Sequence, residues 1–181
     1  MSLKIVFSGF GGQGVLMMGY VLAVAGMKED KHVTFLPAYG AEVRGGTANC
    51  TVVVSDEEIA SPIASSPEFV VAMNYPSMIK YQNMVKSSGT MFLNSDLITE
   101  APAREDIKLV RVPVNTLAHD MGADRSLNMV MLGAVREVTD IVSGKSILTA
   151  IETVLAGKKQ KLIDMNQKAV SVGADFIRGS K

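Results

Sequence analysis

The sequence predicts an α/β fold: a mainly parallel sheet with helices on both faces and a helical C-terminal part. Three observations point there. Short apolar runs of strand length alternate with helix-length segments between residues 3 and 112. Thr47–Ser55 is a long β-branched run with no helical period. Beyond residue 116 the strand signals stop, and only helix-period segments follow. A chain of 181 residues suits one domain, 1–181, and is long enough to bury its own core.

Leu3–Ser8 is apolar and closed by Gly9, which reads as a buried strand. Gly12–Met27 reads as a helix, too densely apolar for a surface stripe and therefore well buried. His32–Leu36 is the next strand, and Pro37 is expected to stop it, because proline cannot donate to a ladder. Residues 38–46, "AYGAEVRGG", form a loop before the Thr47–Ser55 strand. Pro62 and Pro67 bracket an irregular link. Glu68–Met73, Thr90–Asn94 and Ile107–Val112 read as strands, with a short helix over Pro76–Lys86. Thr116–His119, Ser126–Val142, Ser146–Ala156 and Lys159–Arg178 carry helical periodicity. There is no linker, repeat or low-complexity segment.

Composition removes several classes of function. Lys and Arg total 18 and so do Asp and Glu, giving zero formal charge. With no cationic surplus to neutralise a phosphate backbone, nucleic acid is not expected as a partner. No apolar run approaches the roughly 20 residues that span a bilayer, so no membrane association is expected. No signal peptide is expected either, since the apolar residues after Lys4 give way at once to glycines. The single cysteine, Cys50, excludes an internal disulfide and fits a cytoplasmic setting. It also excludes an iron–sulfur cluster held by this chain alone, which needs about four thiolates. His32 and His119 are too isolated for a zinc site or a Ser-His-Asp set. Cys50, inside a strong strand, reads as a buried inert thiol. The twelve methionines read mainly as core filler, with an adaptable partner surface as the alternative.

Gly9, Gly11 and Gly14 satisfy G-x-G-x-x-G between a strand and a helix, a Rossmann-like start. Glycines there allow a tight turn and bring amides at a helix N-terminus against phosphate oxygens. The second half of the dinucleotide fingerprint is missing. The next strand ends "FLPAYG" with no acid for a ribose hydroxyl, and Glu29 and Asp30 come before it. No Gly-Lys-Ser/Thr follows, so it is not a Walker A loop. The open readings are a structural turn, an anion or neighbouring-subunit contact, and a dinucleotide site. Gln13 is either a plain helix-start residue or an amide offered to a polar ligand.

The second loop brings Tyr39, Glu42 and Arg44 together with Gly40, Gly45 and Gly46. The Arg44 fork suits a carboxylate or phosphate, and ligands of open α/β sheets bind beyond the carboxyl ends of strands. Both loops are expected on that edge. The alternative is an internal Glu42–Arg44 pair that only shapes the loop. No Gly-Asp-Gly with distant paired Asn is present, so a thiamine diphosphate site with its magnesium is not expected on this chain alone.

"GFGGQGV" (9–15), "LPAYGAEVRGGTANCTVVVSDEEIASP" (36–62), "NMVMLGA" (128–134) and "NQKAVSVGADF" (166–176) occur in this order. Together they resemble the gamma subunit of 2-oxoacid:ferredoxin oxidoreductases, from end to end of the chain. The resemblance implies a single gamma-type domain in a multi-subunit enzyme of the EC 1.2.7 type. Such an enzyme oxidatively decarboxylates a 2-oxoacid to an acyl-coenzyme A and passes electrons to ferredoxin. Alpha and beta subunits, with delta as an option, are the implied partners. They would hold thiamine diphosphate, Mg and the iron–sulfur clusters, while coenzyme A is a co-substrate. The 36–62 stretch is more similar to the 2-oxoglutarate and branched-chain members than to the pyruvate ones. By the same resemblance Gly9, Gly11, Gly12, Gln13 and Gly14 form one contact loop for coenzyme A or a subunit seam. Glu42, Arg44, Gly45 and Gly46 form the other. Asn128 opens a helix-bearing motif and is read first as structural, with capping or hydrogen bonding to these loops as the alternative. The isolated chain is expected to be inactive, with a homodimer as an option. The competing readings are a stand-alone NAD(P)-dependent dehydrogenase and a purely structural assembly subunit.

Overall fold

The computed structural model describes residues 2–39 and 47–180. Among them six strands form one sheet: β1 (Ser2–Phe10), β2 (His32–Tyr39), β3 (Thr47–Ser55), β4 (Phe69–Ala72), β5 (Thr90–Asn94) and β6 (Lys108–Val112). Their order is β2-β3-β1-β4-β5-β6. β1, β4, β5 and β6 pair in parallel. β3 runs antiparallel to both β1 and β2, so β2 again points the same way as β1. The sheet is thus mainly parallel, with β3 as its one reversed strand.

Pro37 does not stop β2, which continues to Tyr39 with Pro37 paired opposite Cys50. The reason is position: β2 is an edge strand, where a missing N–H can face outward. β1 runs past Ser8 to Phe10, paired with Thr47 of β3.

The helices are α1 (Val15–Met27), α2 (Tyr75–Tyr81), α3 (Val114–Asp120), α4 (Leu127–Thr139), α5 (Gly144–Val154) and α6 (Gln160–Gly179). α1 starts at Val15 rather than Gly12. Gly12 and Gly14 sit at φ 101° and 72°, outside right-handed helical space. α4 stops at Asp140, which turns left-handed at φ 47°. α5 begins earlier than its apolar pattern suggests because the Ser143 side chain caps it, accepting from the Ser146 N–H at 3.1 Å.

The two faces of the sheet are covered unequally. Ile5, Phe7, Cys50, Val52, Val71 and Phe92 point into a large core shared with α1, α3, α4, α5 and α6. Val6, Val70, Ala72, Met91 and Leu93 face a smaller cluster with Met78 and Tyr81 of α2. Six methionines are core filler as expected: Met18, Met73, Met78, Met91, Met129 and Met131 are buried. Met17 and Met27 are not, being 38% and 64% exposed. α4 and α6 cross backbone to backbone. A Cβ on Gly133 would lie 2.0 Å from the Val170 carbonyl oxygen, and one on Gly173 would lie 1.9 Å from that of Val130. No helix among the described residues is long and apolar enough to cross a membrane.

Candidate functional site

Because β1, β2, β4, β5 and β6 point the same way, their C-terminal ends form one edge of the molecule. The glycine turn after β1 lies on that edge. The Phe10–Thr47 and Tyr39–Ala48 pairings bring both flanks of segment 40–46 to the same edge. Glu42, Arg44, Gly45 and Gly46, expected to form the second contact loop, lie outside the described residues.

Within the turn the five expected residues have different places. Gly11 and Gly12 are the exposed tip, and a Cβ on Gly12 would meet nothing within 4 Å. Gly9 is buried beneath them, where a Cβ would stand 2.6 Å from Gln13 Oε1. Gly14 occupies the N-cap position of α1, and no side chain among the described residues caps that helix start. The first turn of α1 has no acidic residue. Its N-terminal amides present positive potential toward the edge that no first-turn acid and no cap among the described residues offsets.

Gln13 is committed inward. Its Oε1 accepts from the Phe10 N–H at 2.7 Å and from Asn74 Nδ2 at 2.9 Å, while Nε2 donates to the Met73 carbonyl at 3.1 Å. The carboxamide ties the end of β1 to the end of β4 and sets the pitch of the turn. One N–H remains for anything outside. Asn128 bonds to the first loop, the alternative reading: its Nδ2 donates to the Gly14 carbonyl at 3.2 Å.

A row of polar side chains that sequence reasoning missed continues along the edge. Asn74 Oδ1 caps α2 by accepting from the Ser77 N–H at 3.0 Å. The Ser77 hydroxyl accepts from Ser8 Oγ at 3.0 Å. Asn94 Nδ2 donates to the Met73 carbonyl at 3.3 Å and to Asn115 Oδ1 at 2.8 Å. Asp96 accepts from the backbone N–H and hydroxyl of Thr116 at 2.9 and 2.8 Å. The signal was present in the sequence, since Asn94 ends one apolar strand and Asn74 stands just past the end of another. In a parallel sheet such positions lie on the ligand edge. A shallow cleft of about 470 Å³ opens beside this row, lined by Asn115, Thr116, His119 and Asp124.

Cys50 is fully buried beneath α1 and its Sγ lies 3.5 Å from the Val15 carbonyl oxygen. Burial pushes its thiol up to about 12, as an inert structural cysteine requires. Among the described residues no cluster of His, Cys, Asp and Glu could hold a metal ion.

The site does not have the layout of a dinucleotide fold. There the strand reached through the first helix lies next to β1. Here β3 intervenes between β1 and β2, and β2 closes on Ala38 and Tyr39 rather than an acid.

A family model described as pyruvate ferredoxin/flavodoxin oxidoreductase matches residues 4–176. Ketoisovalerate oxidoreductase subunit VorA of Methanothermobacter marburgensis is 36% identical over 179 residues, covering 97% of this chain and 37% of its own length. The chain thus spans just over a third of that relative. 2-Oxoglutarate synthase subunit KorC of Methanothermobacter thermautotrophicus is 34% identical over 182 residues, covering 96% of this chain and 94% of its own. Among solved structures, the keto/oxoacid ferredoxin oxidoreductase gamma subunit from Geobacter sulfurreducens PCA superposes with a TM-score of 0.83 at 28% identity. That match covers 98% of this chain and 99% of the other. A match over nearly the whole length, by sequence and by fold, leads to one conclusion: the chain belongs to the pyruvate ferredoxin/flavodoxin oxidoreductase family and is of its gamma-subunit type.

Proposed function

We propose that this chain, as a single domain, is the gamma subunit of a multi-subunit 2-oxoacid:ferredoxin oxidoreductase whose substrate is 2-oxoglutarate. Its glycine edge meets coenzyme A. Alpha and beta subunits, with or without delta, complete the enzyme. They carry thiamine diphosphate with Mg and the iron–sulfur clusters that deliver electrons to ferredoxin. Thiamine diphosphate, where bound, supplies the carbanion chemistry of decarboxylation. The work of this chain is binding and orientation.

One observation carries the reading. The exposed Gly11–Gly12 tip stands on the start of α1, which no described side chain caps, at the edge where the strands end. Backbone amides with no side chains in the way suit phosphate oxygens. Gln13 and Asn128 hold that turn in shape from behind. Arg44, on the segment whose flanks reach the same edge, would add a guanidinium to the phosphates. The 36–62 stretch favours 2-oxoglutarate or a branched-chain 2-oxoacid over pyruvate, and the KorC relative is named for 2-oxoglutarate.

A second reading, a purely structural subunit, is favoured by the internal roles of Gly9, Gln13 and Gly14. Gly11→Asp separates the two in the assembled enzyme. Gly11 is exposed, and a carboxylate placed there repels phosphate. The KM for coenzyme A should rise roughly tenfold or more with the KM for the 2-oxoacid unchanged. An unchanged coenzyme A KM with reduced assembly would favour the structural reading. Comparing kcat/KM for 2-oxoglutarate, 2-oxoisovalerate and pyruvate tests the substrate.

A further inference from the structure

Behind the glycine turn, on the helical side, lies a pocket that meets the turn only at Gly14 and Asn128. Its volume is about 260 Å³, and four helices wall it with apolar side chains: Met17 of α1, Met129 of α4, Ile151 of α5 and Leu162 of α6. Met17 and Leu162 are 38% and 42% exposed, so the pocket opens to the surface between them. For comparison, an apolar cavity of about 150 Å³ stays dry and accepts benzene, so this one has room for a chain of roughly eight carbons.

Four polar residues, Arg125, Ser126, Asn128 and Asn166, break the apolar lining, and two of them have hydrogen-bonding groups to spare. Arg125 stands at the pocket, exposed, with no hydrogen bond or ion pair to any described residue. Asn128 is only 7% exposed, and its Nδ2 reaches the Gly14 carbonyl. Its Oδ1 has no partner among the described residues, and its second amide hydrogen is also left over. A guanidinium with no counter-charge beside an apolar recess is the recognition pattern for an amphiphile whose head is negative.

We propose that this pocket is a binding site for an aliphatic chain of medium length ending in a carboxylate or phosphate. The chain lies against Met129 and Ile151, and the head is held by Arg125. The proposal does not rest on the coenzyme A reading: it uses neither the Gly11–Gly12 tip nor segment 40–46, although Gly14 and Asn128 belong to both places.

Calorimetric titration of the full chain with octanoate, octyl phosphate and 1-octanol tests it. At least one of the two anions should bind saturably, one per chain, and at least tenfold more tightly than the alcohol. Which anion is tighter identifies the head group. Arg125→Gln, on an exposed side chain, should weaken the anions roughly tenfold and leave octanol unchanged, as expected for loss of about 1.4 kcal/mol. Leu162→Trp, at the mouth, should weaken all three ligands. Circular dichroism checks that both variants are folded. Absence of saturable anion binding, octanol binding as tightly as both anions, or indifference to Arg125→Gln in the folded variant would each overturn the proposal.

Discussion

Gly9→Ala tests how the glycine turn is built. The Ala Cβ would stand 2.6 Å from Gln13 Oε1, 2.9 Å from Val15 Cγ1 and 3.0 Å from Met73 Cβ, where ordinary contact begins at 3.4 Å. Val15 starts α1, and Met73 is fully buried after β4, so neither yields easily. Gln13 can rotate away only by releasing Phe10 N–H, Asn74 and the Met73 carbonyl. Overpacking of this kind costs about 1–3 kcal/mol, and each weakened hydrogen bond adds about 0.5–1.5 kcal/mol. The φ of Gly9 is not left-handed, so Ala recovers about 0.4–1 kcal/mol by restricting the unfolded chain. The net loss is about 3 kcal/mol. For a domain of this size each kcal/mol moves Tm by about 2–4 °C, so a fall of roughly 6–12 °C is expected. Thermal unfolding followed by circular dichroism measures it. The same substitution made on Gln13→Ala should cost at least about 1 kcal/mol less, because the nearest obstacle is gone. A Gly9→Ala Tm within about 1 °C of the parent, or strict additivity of the pair, would refute this account of the turn.

Gly173→Ala should destabilise more than Gly9→Ala. Its Cβ would strike the Val130 carbonyl at 1.9 Å, a backbone atom that cannot rotate aside, and α4 and α6 must part along their crossing. Urea unfolding should show a loss of about 4 kcal/mol or more. Cys50 should give no reaction with a thiol reagent at pH 8 in the native chain and one equivalent in guanidinium, since burial raises its thiol to about 12. Glu29 links the end of α1 to the start of α5 by accepting from the Ser143 N–H at 2.6 Å. Burial pushes its carboxyl up, but hydrogen bonds from the Ser143 backbone and the Ser146 and Ser143 side chains, with the Lys31 charge, hold it below its ordinary 4.5. A lowered folded-state value stabilises above about pH 4.5 and is lost as the pH falls through that lowered value. Glu29→Gln should therefore lower stability by about 1 kcal/mol at pH 7, and in acid unfolding curves the difference should shrink as the pH falls below 4.5.

Local signals were sufficient for much of the fold. Thr47–Ser55 and Thr90–Asn94 are strands with the bounds their β-branched and apolar runs imply. The glycines of the first turn mark where β1 ends and α1 begins, because positive φ at Gly12 and Gly14 is a local backbone property. The family likeness was legible for the same reason: contiguous motifs preserve order and spacing along the chain. The insertion of β3, reversed, between β1 and β2 was not legible, and neither was the tolerance of Pro37 at an edge. Both depend on which strand lies alongside, a choice made by distant segments.

The site divides along the same line. Residue types alone identified a glycine turn beside a helix start and placed it at the end of a strand. Only the tertiary structure shows that Gln13 serves the fold and that Gly9 is a cavity for its carboxamide. The same holds for Asn74, Asn94 and Asn115, which continue one polar edge. A side chain of either kind has the same letters around it. Whether its hydrogen bonds turn inward or outward is decided by neighbours some 60 or more positions away, as with Gln13 and Asn74.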